Sequence, residues 1–180
     1  MMSFPIIIDC VNLIMKNARA APLEMHAPLE MHNVVCIFPQ AKREDGSVAH
    51  VVTRRHRSEH YYRGKFNHVL EHINEGENAI DAARRGILEE LGLAERHYTL
   101  RELGASYFED QKTGLGVHIR AVYVMVMDVG VFSLIRESGE AVRGSKKLVS
   151  VSQMKNMLRN KEFTPVDEHI LSEFAGIRRI

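Results

Sequence analysis

The thirteen residues from Ala79 to Leu91 place Ile80, Ala83, Ile87 and Leu91 at helical spacing, and Gly92 follows as a stop. Apolar, β-branched runs lie on both sides of this helix. Upstream are Val34–Phe38 and Val48–Thr53, separated by the turn-rich stretch 42–47, which predicts a hairpin or meander. Downstream are Tyr98–Phe108 and Val117–Asp128, joined by a polar, glycine-containing loop. Lys147–Val151 predicts a last strand, and Ser152–Leu158 and Thr164–Phe174 predict helices, the latter with Thr164 as N-cap and Pro165 in its first turn. One helix embedded among strands, with helices at the end, gives an α+β fold rather than a bundle or an all-β barrel.

The chain has 180 residues, enough for one ordinary domain with an appendage. Residues 1–30 are expected to be that appendage, an N-terminal extension, with the domain over 31–180. The extension carries an apolar run, Phe4–Met15, and a near-repeat, Pro22–His26 and Pro28–His32. Asp9 and Asn12 interrupt the run, which has no basic flank or cleavage site, so it is not read as a signal peptide. Its isoleucines and leucine offer apolar surface suited to pairing two copies as a homodimer.

No stretch approaches the length of a membrane span. Two cysteines, Cys10 and Cys36, make neither a disulfide framework nor a zinc motif, which predicts a reducing, cytoplasmic setting. A net charge of +1 gives no bulk attraction for nucleic acid or anionic membrane, so any polyanion must be held by a local cluster. The one basic cluster is Arg54, Arg55, Arg57, Arg63 and Lys65. Arginine forks suit phosphate oxygens, and Arg54, Arg55 and Lys65 are the candidate phosphate clamp. A solvated basic loop is the plain alternative.

The stretch Glu71–Leu93 resembles the Nudix box, G-x5-E-x7-R-E-U-x-E-E-x-G-U, where U is aliphatic. Glu77, Arg85, Ile87, Glu89, Glu90, Gly92 and Leu93 fall in register, seven of the nine defined positions. The resemblance implies a Nudix-type α/β/α sandwich with a mixed central β-sheet and the box as its loop and helix. It implies a pyrophosphohydrolase acting on a nucleoside diphosphate derivative or other small phosphorylated compound, with Mg²⁺ or Mn²⁺ as cofactor. Independently of any family, positions 86, 89 and 90 share one helix face, where carboxylates converge and oxygen can chelate hard cations. Such an ion neutralises a diphosphate and acidifies an attacking water. The expected metal ligands are Glu89, Glu90 and His72. Glu140 is the expected further catalytic carboxylate, with Glu137 as its alternative, and the pair of Glu77 and Arg85 is expected to shape the loop together with Gly92.

Two positions depart from the pattern. Glu71 stands at the opening glycine, and Gly86 stands where a helix-face Glu belongs. Gly86 removes one carboxylate and puts a residue costing about 1 kcal/mol relative to alanine into a helix interior. Water or another acid must fill the vacancy, with Glu71, Glu75 and Glu140 as candidates. The departure raises a second reading, a catalytically impaired Nudix-fold ligand-binding protein. A third comes from Arg54-Arg55 and Asn67–His72, which resemble the isopentenyl diphosphate isomerase branch, as does His32; there Leu70 replaces the catalytic cysteine, which argues against isomerisation.

Overall fold

β1 (His32–Lys42) is the axis of the molecule, because its two edges and both its faces are covered. The computed structural model describes residues 32–56, 62–110 and 115–174. The apolar run 4–15, the near-repeat up to residue 31 and Arg57 lie outside them. The other strands are β2 (Val48–Arg54), β3 (Phe66–Asn67), β4 (Val69–His72), β5 (Thr99–Asp110), β6 (Leu115–Asp128) and β7 (Lys147–Val149). The helices are α1 (Ala79–Leu91), α2 (Val151–Arg159) and α3 (Pro165–Phe174), and one-turn 3₁₀ segments occupy Glu95–His97 and, in a longer piece, Val129–Leu134.

The sheet is mixed. β1 and β2 form the expected antiparallel hairpin, Gln40 opposite His50, and β5 and β6 form another. β1 then runs parallel to β6 from His32 opposite Val117 to Lys42 opposite Asp128. Along its other edge β1 pairs twice, with β4 over Val34–Ile37 and with β2 over Gln40–Lys42. Full burial on both faces explains why β1 reads as an unbroken apolar run and not as an alternation.

Alternation sorts the core into two layers. Val35 and Ile37 face α1, where they meet Ala83, Ile87 and Leu91. Val34, Cys36 and Phe38 face the other way, against Met154 of α2 and Ile170 of α3. The architecture is therefore the expected sandwich, with one helix on one face and two on the other. Asn78 caps α1 by accepting from Asp81 N, and Gly92 ends it at φ 67°, donating to Leu88 O. Ser150 ends β7 sooner than the apolar run suggests, because with Gln153 it forms a capping box that starts α2 at Val151. Thr164 caps α3 as expected, accepting from Asp167 N at 3.3 Å.

Candidate active site

The loop before α1 is built around one guanidinium. Arg85 meets Glu77 as a fork, Nε to Oε1 at 3.0 Å and Nη2 to Oε2 at 2.9 Å. Its Nη1 donates to Glu71 Oε1 at 2.8 Å and its Nη2 to the His72 carbonyl at 2.6 Å. Glu77 also accepts from Asn74 N at 2.9 Å. These donors hold its carboxyl below the usual range, Arg85 contributing most, and the same contacts push the Arg85 guanidinium further up. Together these bonds tie β4, the loop and the helix around Arg85.

At the other end of α1 a strap, residues 136–146, crosses from the helix to β2. Arg136 N donates to Leu91 O at 2.9 Å and Ser138 N to Glu90 O at 3.2 Å, satisfying carbonyls at the helix terminus. Beyond them His56 N donates to Glu140 O at 2.7 Å and Val142 N to Arg54 O at 2.8 Å, with Arg55 bridged to Ala141. Glu137 folds the strap on itself, accepting from the backbone of Gly144 and Lys146 and from the Ser145 hydroxyl. That employment removes Glu137 as the alternative to Glu140.

With the strap so placed, the charges of Glu140 and Arg55 act on Glu90. Burial first, and then the carboxylates of Glu140 and Glu71, push the Glu90 carboxyl up to about 8, while Arg55 pulls the other way. Glu89, by contrast, is exposed, and its carboxylate lies 3.5 Å from Arg85.

Several expected site residues stand elsewhere. Arg54 lies with its guanidinium 4.5 Å from the centre of the Phe66 ring, on which Lys147 also rests at 4.0 Å. Lys65 donates through Nζ to the Lys161 carbonyl, at the turn between α2 and α3. Of the three clamp candidates only Arg55 therefore acts on Glu90. His72 neighbours Glu71 along β4, so alternation turns its side chain to the opposite face, where its ring sits edge-on to His32 with centroids 5.1 Å apart. The structure does not bring His72 to Glu89 and Glu90. Glu75 is exposed in the loop.

Cys36 is far from Leu70 in sequence but directly opposite it in the β1–β4 register. It is fully enclosed, and burial, with Asp167 and Glu90 adding to it, raises its thiol well above the ordinary value, which leaves no reactive thiolate. Sequence reasoning missed the partners behind it. Asp167 accepts from His68 N at 3.0 Å and lies 2.8 Å from His68 Nδ1, in the core between α3 and the sheet. The Thr164-Pro165-Val166-Asp167 helix start was the one available signal.

Among the described residues no three His, Cys, Asp or Glu side chains stand close enough to hold a metal ion as they are. The donor chemistry nonetheless suits a hard divalent cation. Glu90, Glu140 and Glu71 supply only oxygen, and their mutual repulsion is what such a cation relieves.

A family model for the NUDIX domain matches residues 31–174. The chain belongs to the Nudix family. Its fold is that of known Nudix structures. A Deinococcus radiodurans protein aligns at 18% identity over 87% of this chain and 88% of its own, TM-score 0.62. A C. elegans Ap4A hydrolase in a binary complex aligns at 12% identity over 83% and 94%, TM-score 0.57. The NUDIX domain of Shewanella oneidensis NrtR complexed with ADP ribose aligns at 12% identity over 81% and 94%, TM-score 0.52. No curated protein sequence matches. In this Nudix domain the box helix is α1, and its two departures, Glu71 and Gly86, face each other across the helix–strand contact.

Proposed function

We propose that this Nudix domain is a pyrophosphohydrolase that cleaves a diphosphate linkage in a nucleoside diphosphate derivative or other small phosphorylated compound, with Mg²⁺ or Mn²⁺. The observation that carries the reading is the box itself, a Nudix loop and helix whose Glu90 feels the charges of Glu140, Glu71 and Arg55. That an Ap4A hydrolase and a NUDIX domain complexed with ADP ribose share the fold supports a nucleotide-like substrate. Glu89 and Glu90, as the box register has them, would hold the cation. Bound there, it supplies neutralisation of the diphosphate charge and acidifies water. Arg55 binds a phosphate oxygen, and the exposed Glu140 carboxylate takes the proton of the attacking water.

The test is release of phosphate-containing product from nucleoside triphosphates, dinucleoside polyphosphates, nucleotide sugars and prenyl diphosphates with each metal. Glu90→Gln should abolish turnover; full activity in that variant refutes the site.

A second reading, a binding protein that holds a diphosphate without turning it over, is favoured by the hold of Arg85 on Glu71, Glu77 and Glu89 together. It predicts a ligand-induced rise in Tm with no product. Isomerisation lacks its cysteine, since Leu70 stands there and Cys36 is buried. We further infer a cytoplasmic protein whose residues 1–30 form an extension that pairs two copies. A shift to monomer mass on deleting 1–30 supports this, and an unchanged mass rejects it.

A further inference from the structure

Between Val151, where α2 begins, and Phe174 at the end of α3, the described residues leave a cavity of about 360 Å³ over the sheet. Alternation turns Phe38 and Gln40 of β1 into it, on the face away from α1, so it shares no residue with the group around Glu90. The Phe174 ring makes one wall. Gly104 gives that ring room, since a Cβ at φ 144° would stand 3.3 Å from its Cε1.

Three polar side chains line the cavity, Gln40, His50 and Arg101, and none has a hydrogen-bond partner among the described residues. His50 carries the most weight. It is only 5% exposed, and burial, then His68, lowers its ring to about 4, which keeps it neutral at pH 7. Its Nδ1 is fully enclosed, which leaves Nε2 as the nitrogen open to the cavity. A buried imidazole with neither nitrogen bonded destabilises the fold, and a ligand bonded to Nε2 relieves that.

The rest of the lining sets the chemistry of such a ligand. Phe38, Leu103, Phe174 and three valines are apolar, which suits a flat hydrocarbon or aromatic body. Arg101 is exposed and is the one charged residue of the lining, with no carboxylate beside it among the described residues. An anion is therefore drawn in and a cation is not. A single guanidinium matches one negative charge, a carboxylate, better than the two of a phosphate. His50 on β2 and Arg101 on β5 stand three strand spacings apart, about 14 Å between backbones before the side chains shorten the gap. The two polar ends of the ligand are thus at opposite ends of its body.

We propose that this cavity is a second binding site, taking a small aromatic carboxylate whose acid group meets Arg101 and whose opposite end carries a hydroxyl bonded to His50 Nε2.

The experiment measures binding of 3-(4-hydroxyphenyl)propionate by calorimetry, beside its amide, 3-phenylpropionate and inorganic phosphate, to wild type, Arg101→Gln, His50→Phe and Glu90→Gln. The hydroxy acid should bind wild type, and the amide and the phenyl acid should each bind about tenfold more weakly, the worth of one hydrogen bond to a charged or buried partner. Arg101→Gln should bring acid and amide to within about twofold of each other, and His50→Phe should do the same for the hydroxy and phenyl acids. Should His50→Phe fail to fold, the ¹⁵N resonance of His50 Nε2 in wild type reports the same bond, and it should move with the hydroxy acid and not with the phenyl acid. Glu90→Gln should bind as wild type does. No binding, equal binding of acid and amide, or phosphate bound in place of the acid overturns the proposal. So does loss of binding in Glu90→Gln, which would move the ligand to the diphosphate site, or a dimer broken by Arg101→Gln that excludes the acid, which would give the cavity to a second copy of the chain.

Discussion

Arg85 and Glu77 face each other across eight residues of loop and helix as two parallel hydrogen bonds, 3.0 and 2.9 Å long. A lysine at 85 keeps the charge but presents a single point and no fork. Arg85→Lys is therefore expected to loosen the loop and let Glu71 drift from the helix. Displacements near 1 Å cost on the order of a hundredfold in rate. Steady-state assay on whichever compound of the panel is turned over checks this, and activity within twofold of wild type would contradict it.

The metal-free protein should lose stability as the solution turns alkaline. Glu90, raised to about 8 by burial and by Glu140 and Glu71, keeps in the folded state a proton that the unfolded chain releases above 4.5. Stability therefore falls as pH climbs from 4.5 to about 8. His50, lowered to about 4 by burial and by His68, lacks a proton that the unfolded chain binds below 6.5, so its effect has the opposite sign between those values. The two oppose each other below pH 6.5. Above it Glu90 acts alone, with a slope approaching about 1.4 kcal/mol per pH unit. Urea melts from pH 6.5 to 8 should show that slope in wild type and not in Glu90→Gln.

Asp167 answers three buried donors, the backbone and ring of His68 and the Thr164 hydroxyl. Asp167→Ala leaves them unpaired beneath the sheet and is expected to cost about 3 kcal/mol. Denaturant midpoints would register it, and a loss below about 1 kcal/mol would show that water replaces the carboxylate there.

Gly92 ends α1 at φ 67°, with the Cβ of Arg136 only 3.2 Å from where its own would stand. Gly92→Ala is expected to cost about 1 kcal/mol or more in backbone strain. It should also weaken catalysis, since Arg136 begins the strap that carries Glu140.

The helix, its C-terminal stop and the strands on either side were legible because each is written in local pattern: Ile80, Ala83, Ile87 and Leu91 on one stripe, Gly92 at the end. The box register likewise singled out Glu77 and Arg85 as partners. The parallel pairing of β1 with β6 left no local trace, because each residue of the pair sits about 85 positions from the other. Nor could a string of letters separate Arg54 from Arg55. Arg54 ends β2 and Arg55 is the next residue, and only the fold, with Phe66 beside one and Glu90 within reach of the other's charge, assigns them different tasks. Glu71 and Gly86 read as two separate defects for the same reason: fifteen positions apart in the chain, they touch.

The strap from 136 to 146 is held to the helix end and to the chain leaving β2 through the amides of Arg136, Ser138, His56 and Val142. Those contacts ask nothing of the side chains that bear them. Substitutions at 136, 138 and 142 can thus accumulate silently while the path of the strap stays fixed, with proline the one residue barred there. Relatives aligned by letters alone would show those three positions as noise, although their amides fix where the strap leaves the helix.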